Sequence, residues 1–98
     1  MWLRKTGRHK NLKLERQFHP NPDYCTLRVT GQITRGMILT LTSSEKNTRM
    51  INNLCRIKGI THVEPVPYYV MIKKKNSVDW QEILPEAEKI IIQHLVKE

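Results

Sequence analysis

Two patterns in this chain set chemically capable side chains at regular intervals. Lys46, Arg49, Asn53 and Arg56 recur at steps of three and four, which places them along one side of a helix. A lysine run, Lys73 to Lys75, closes a stretch of alternating apolar residues. Cations ranged along a ridge hold phosphates or an acidic protein surface through their field; the competing role is a solvated outer face, common on small domains. Lys73 and Lys74 either extend that ridge or guard a sheet edge against pairing with another chain. The candidate binding residues are thus Lys46, Arg49, Arg56, Lys73 and Lys74, and their chemistry is electrostatic.

Reactive chemistry finds little footing. His9, His19, His62 and His94 are dispersed and lack the spacing of metal ligands. Cys25 and Cys55 lie thirty positions apart with no C-x-x-C, so neither a zinc site nor a redox dithiol is signalled. Two unpaired thiols suit a reducing compartment, and the cytoplasm is the expected location. A Ser, His and acid set, a glycine-rich phosphate loop and a carboxylate pair with a pocket are all missing. The expectation is a protein without catalytic activity, cofactor or metal. Tyr24, Tyr68, Tyr69 and Trp80 raise the question of base stacking. Trp80 belongs to an apolar helix stripe and Tyr68 is expected inward beside Val70, which leaves Tyr24 and Tyr69, too few for a stacking platform.

These groups must be positioned by one small domain. A chain of 98 residues removes roughly 60 to 70% of its exposed surface on folding, enough for a single core. The net charge of +8 is uneven: residues 1 to 18 carry six Lys/Arg against Glu15, whereas residues 77 to 98 carry two Lys against five acids. Residues 1–10 read as a basic, disordered tail and 11–98 as the domain. The tail lacks the apolar stretch of a secretory signal, and no apolar run approaches the roughly 18 residues of a membrane helix.

Periodicity supplies the elements. Leu12, Leu14 and Phe18 alternate with Lys13, Glu15 and Gln17, with Arg16 interrupting the apolar set, and predict an edge strand. "HPNPD" makes a turn, "CTLRVTG" alternates again, and "MILTLTS", with Met37, Leu39 and Leu41 on one face, predicts a third strand. A helix follows from near Glu45 and closes at Gly59. "ITHVEPV" and "YYVMIKKK" predict two more strands, the first at an edge or in an irregular connection because of Pro65. The last helix has Asp79 as cap, with Glu82 as its capping-box partner and Val78 stapled onto Ile83. Pro85 lies inside it, where a kink or an irregular first turn is expected. The fold class is α+β, a two-layer sandwich of about five mainly antiparallel strands with two helices on one face, in the order β-β-β-α-β-β-α. The expected core is Leu27, Val29, Leu39, Leu41, Met50, Leu54, Ile57, Val70 and Ile72, joined by Trp80, Ile83, Ala87 and Ile91.

The segments "HPNPDYCTLRV" and "LCRIKGITHVEPVPYYVMIKKKNSVDWQEILPEAEKII" together resemble the N-terminal domain of Nfu/NifU-type iron-sulfur scaffold proteins, with its T-P-N-P turn, its helix before I-x-G-V/I, and its D-W…L-x-P ahead of a final helix. The likeness covers residues 12 to 95. His19 stands where that family usually has Thr, the segment from Asn21 to Leu27 is about two residues longer, and Ser44-Glu45 replaces a Ser-Pro; a shift of two preserves strand facing.

The resemblance implies an accessory role in iron-sulfur cluster assembly, exercised by docking a scaffold, carrier or client protein. In full-length members a separate domain carries the C-x-x-C for the cluster, and these 98 residues hold no such motif; thiolates are the usual ligands, so no cluster is expected on one copy alone. Two other readings stay open. The basic tail and ridge suit a small nucleic-acid-binding module, and a regulatory domain would hold a small ligand at a helix-sheet edge, although no polar pocket residues can be named for it.

Overall fold

In the computed structural model, residues 12–31, 33 and 35–96 are described, apart from the side chains at 40, 44 and 46; the expected basic tail, residues 1–10, lies outside them. Four strands form one antiparallel sheet: β1 (Leu12–Phe18), β2 (Tyr24–Gly31), β3 (Ile60–Val66) and β4 (Tyr69–Lys74), in the order β1-β2-β4-β3. Three helices, α1 (Arg35–Thr42), α2 (Ser44–Cys55) and α3 (Trp80–Val96), bury its inner face. The α+β sandwich stands, with four strands in place of about five. Both predicted edge strands, β1 and β3, are at edges. Pro65 fits β3 because an edge strand need not donate on its outer side.

The missing strand is a helix. Met37, Leu39 and Leu41 alternate as a strand would, but Met37, Ile38 and Leu41 also fall at helical spacing, and a short apolar run satisfies both periods. Packing chooses the second: Leu41 is buried and Met37 packs on the core, while Leu39 is 52% exposed. The buried Asn47 side chain donates to the Leu41 carbonyl at 2.8 Å. It supplies a partner for one of the carbonyls that a helix leaves unbonded at its C-terminus.

Inward residues of every layer meet in one core. Cys25, Leu27 and Val29 of β2 and Val70 and Ile72 of β4 face Met50 and Leu54 of α2 and the α3 stripe Trp80, Ile83, Leu84, Ala87, Ile91 and Leu95. Ile57 packs at the margin rather than inside. On β1 the inner face runs out at its C-terminal end, where Phe18 is 60% exposed and touches the Trp80 ring edge-on at 6.5 Å. Arg16, which breaks the apolar alternation, also faces the helices. Its guanidinium donates to Glu88 of α3 through two hydrogen bonds, at 2.9 and 2.8 Å, a bidentate geometry that is stronger than a point contact.

Two turns lock the sheet to α3. Asn21 accepts from the Asp23 N–H at 3.0 Å, an Asx turn, and the Pro22 carbonyl accepts from Trp80 Nε1 at 2.7 Å. After α2 the chain turns through Gly59 at φ +104°. A methyl group there would lie 2.9 Å from the Val78 side chain, so glycine is needed both for the backbone and for the close approach. At the start of α3 the Asp79 carboxylate accepts from the Gln81 N–H at 3.3 Å, one residue earlier than a capping box places it. The helix runs through Pro85 without a break.

Candidate functional site

Arg49 lies on α2 and Arg56 follows its last residue; both are exposed, and Arg56 donates to the Asn53 side chain at 3.5 Å. Neither reaches a carboxylate in an ion pair among the described residues. Lys46 is on the same helix, but its side chain lies outside the described set. The helix and the residue after it therefore present two exposed guanidinium groups that form no ion pair among the described residues.

The lysine run divides, because neighbouring strand residues point to opposite faces. Lys73 lies on the open face of the sheet, away from α2, and does not extend the ridge. Lys74 points to the helix side and is only 7% exposed. Its ammonium lies 3.4 Å from Asp23 Oδ1, donates to the Lys75 carbonyl at 3.2 Å and sits over the Trp80 ring. This corrects the expectation that Lys74 is a surface contact. A buried ammonium needs its charge and donors satisfied inside the fold, and here they are.

The open face carries what strand-by-strand reading missed. Arg28 of β2 is the direct cross-strand partner of Tyr69 on β4, and Tyr24 of β2 is the partner of Lys73. In each rung the cation stands over the ring, at 6.0 Å for Arg28 on Tyr69 and 5.5 Å for Lys73 on Tyr24, within cation–π range. Between these rungs lies the pair Thr26 and Met71. They floor a shallow depression of about 320 Å³ edged by Gln17, Glu64, Val66 and Tyr69. The His19 ring lies 6.1 Å from that of Tyr24 and shares a hydrogen bond with Thr26 Oγ1 at 2.6 Å. Alternation did put Tyr24 and Arg28 on the face opposite Cys25, Leu27 and Val29; the register that pairs them with Lys73 and Tyr69 is a long-range property.

With this geometry in place, comparison with known proteins is decisive. Residues 14–98 match the family model described as scaffold protein Nfu/NifU N terminal. The chain belongs to the Nfu/NifU N-terminal family. A relative of this Nfu/NifU-type domain in Staphylococcus aureus, conserved virulence factor C, is 32% identical over 75 residues, which cover 74% of this chain and 20% of the relative. The domain thus spans about a fifth of that protein's length. Its fold is similar to the crystal structure of protein SAV1430 from Staphylococcus aureus, with a TM-score of 0.58 at 19% identity over 80% of this chain and 96% of the other. A solution structure of the same protein gives 0.56 at 17% identity, covering 79% and 86%.

On the helix side of this Nfu/NifU-type domain, a groove of about 730 Å³ runs between the end of α2 and α3. Arg56 and Lys58 stand along it with Glu82 and Glu86, and Ile57 and Val78 contribute apolar surface. From the sequence Glu82 reads only as a capping residue and Lys58 and Glu86 have no role, since only the tertiary fold sets the α2–β3 turn beside α3. Three or more His, Cys, Asp or Glu side chains clustered to hold a metal are not found among the described residues, nor is a helix long and apolar enough to cross a membrane.

Proposed function

We propose that this Nfu/NifU N-terminal domain is a non-catalytic docking module acting in iron-sulfur cluster assembly, and that it engages an acidic face of a scaffold, carrier or client protein through the α2 surface. Membership of the family over residues 14–98 is the observation that carries this reading. The exposed Arg49 and Arg56 support it, since guanidinium groups that form no internal ion pair attract carboxylates and steer encounter. Arg56 also borders the groove beside α3, so a partner seated on the ridge meets apolar surface at Ile57 and Val78, with charge of both signs from Arg56, Lys58, Glu82 and Glu86. Cys25 is buried and Cys55 is exposed, and in this reading the cluster is cargo held by the partner's ligands.

The test is capture of purified cluster-scaffold and carrier proteins by the wild-type chain and by an Arg49→Glu, Arg56→Glu variant. Reversing two charges is expected to lower the association rate at least tenfold at low ionic strength, an effect that shrinks as salt screens it. Equal association by the two proteins would remove the ridge from the proposal.

A further inference from the structure

We infer that the open face of the sheet binds single-stranded nucleic acid, with bases stacked on Tyr24 and Tyr69 and phosphates held by Lys73 and Arg28. This surface is separate from the α2 ridge, and its occupant is independent of the docking role above.

Two rings by themselves are too few for a stacking platform; it is their cross-strand pairing with cations that argues for the ligand. Each rung of the β2–β4 pair joins one aromatic ring to one cation directly across the strands, and the order is reversed between them: Tyr24 to Lys73, then Arg28 to Tyr69. A nucleotide offers a flat base and an anionic phosphate together; with a cation over one face of each ring, a base takes the other face and its phosphate the cation. The rungs are four residues apart along β2, about 14 Å at the rise of an antiparallel strand. Two stacked bases on the rungs leave the Thr26–Met71 depression beneath the chain between them. There Glu64 presents a carboxylate, beside the Gln17 amide, which donates to Glu15 at 3.2 Å, and the Thr26 hydroxyl, which is tied to His19; such groups read donors and acceptors on base edges with the bonding capacity they have left.

The rings select among occupants. The face carries Lys13, Arg28 and Lys73, but Glu15 and Glu64 share it, and His62 lies 3.7 Å from Glu64. The two carboxylates oppose a phosphate chain and an acidic peptide alike, so the rings decide between them, and an acidic peptide gains little from the rings. Unstacked bases do gain from the rings, and a duplex keeps its bases stacked on one another and out of reach. The whole chain, at +8, supplies the long-range attraction.

The full 98-residue chain would be titrated into labelled oligo-uridylate, into a duplex of equal length and into polyglutamate, by fluorescence anisotropy across a salt series. Amide shift mapping would accompany each titration. The expected result is tighter binding of the single strand than of the other two ligands, with shifts concentrated on β2 and β4. Tyr24→Leu with Tyr69→Leu is expected to weaken it tenfold or more, and the two Phe replacements, which keep the rings, to leave it within about twofold. Arg28→Gln with Lys73→Gln is expected to reduce the slope of log affinity against log salt by about 1.4, the release expected for two phosphates on a single strand. Arg49→Gln with Arg56→Gln removes as much charge away from the sheet and should weaken binding less than Arg28→Gln with Lys73→Gln. The inference is overturned by absence of binding at low salt, by shifts confined to α2 or to residues 1–11, or by duplex or polyglutamate matching the single strand. Shift mapping on the wild type decides the matter even where a variant fails to fold.

Discussion

The Lys74 ammonium stands 5.5 Å from the centre of the Trp80 ring, beneath the turn that carries Asp23 rather than on the protein surface. Lys74 also receives two backbone ties from this region: its N–H donates to the Asp23 carbonyl at 2.9 Å, and its ammonium to the Lys75 carbonyl. Removing the ammonium leaves the partly buried Asp23 carboxylate without its counter-charge. Lys74→Ala is expected to cost about 2 kcal/mol. Urea unfolding measures this, and a cycle with Asp23→Ala should show a coupling above about 0.5 kcal/mol. Additive single and double variants would mean that the pair contributes nothing.

Gly59 meets two constraints at once, a φ of +104° and the Val78 side chain where a Cβ would stand. Gly59→Ala is therefore expected to destabilise the domain by about 2 to 4 kcal/mol. Adding Val78→Ala removes the steric part and leaves the backbone part, so G59A should cost less in the V78A background than in the wild type. Equal costs in both backgrounds would show that the contact with Val78 is unimportant.

Tyr68 adopts φ +69° in the two-residue turn between β3 and β4, after Pro67. A bulky side chain is strained in that region, whereas Asn tolerates it. The ring is 44% exposed, so little packing is lost on replacement. Tyr68→Asn is expected to raise stability by about 0.5 to 1 kcal/mol, a rise of several degrees in Tm for a domain this size. Tyr68→Val, β-branched and no better suited to positive φ, should lower it. A lower Tm for the Asn variant would mean that the ring's contacts outweigh the strain.

Burial pushes the Cys25 thiol up from its ordinary range, with a backbone hydrogen bond near Gln17 opposing the shift, whereas Cys55 is exposed. A thiol reagent at pH 8 should modify Cys55 in the folded protein and reach Cys25 only on unfolding. Because the folded state holds the Cys25 proton more tightly than the unfolded chain, its share of stability is full below about pH 8.5 and is lost as pH rises through the raised value. Cys25→Ala should flatten that part of the stability profile. Two thiols reacting at one rate in the native state would contradict the burial.

Much of this architecture is local information. The alternation of Cys25, Leu27 and Val29, the α3 stripe from Trp80 to Leu95 and the proline in β3 each specify an element and its buried side, because side-chain direction follows from backbone period alone. Of the candidate site, the position of Arg49 on α2 followed from helical spacing in the same way, and Arg56 falls just past the end of that helix. The tertiary structure decided the rest. It made Met37 to Thr42 a helix, since two periods fit the same six residues and only the shape of the core distinguishes them. It drew Lys74 inward to Asp23, 51 residues away, and matched Arg16 to Glu88, 72 residues away. It also set Tyr24 against Lys73 and Arg28 against Tyr69. Whether a charge is buried or presented depends on partners that sequence distance conceals, and strand register is what brings those partners together.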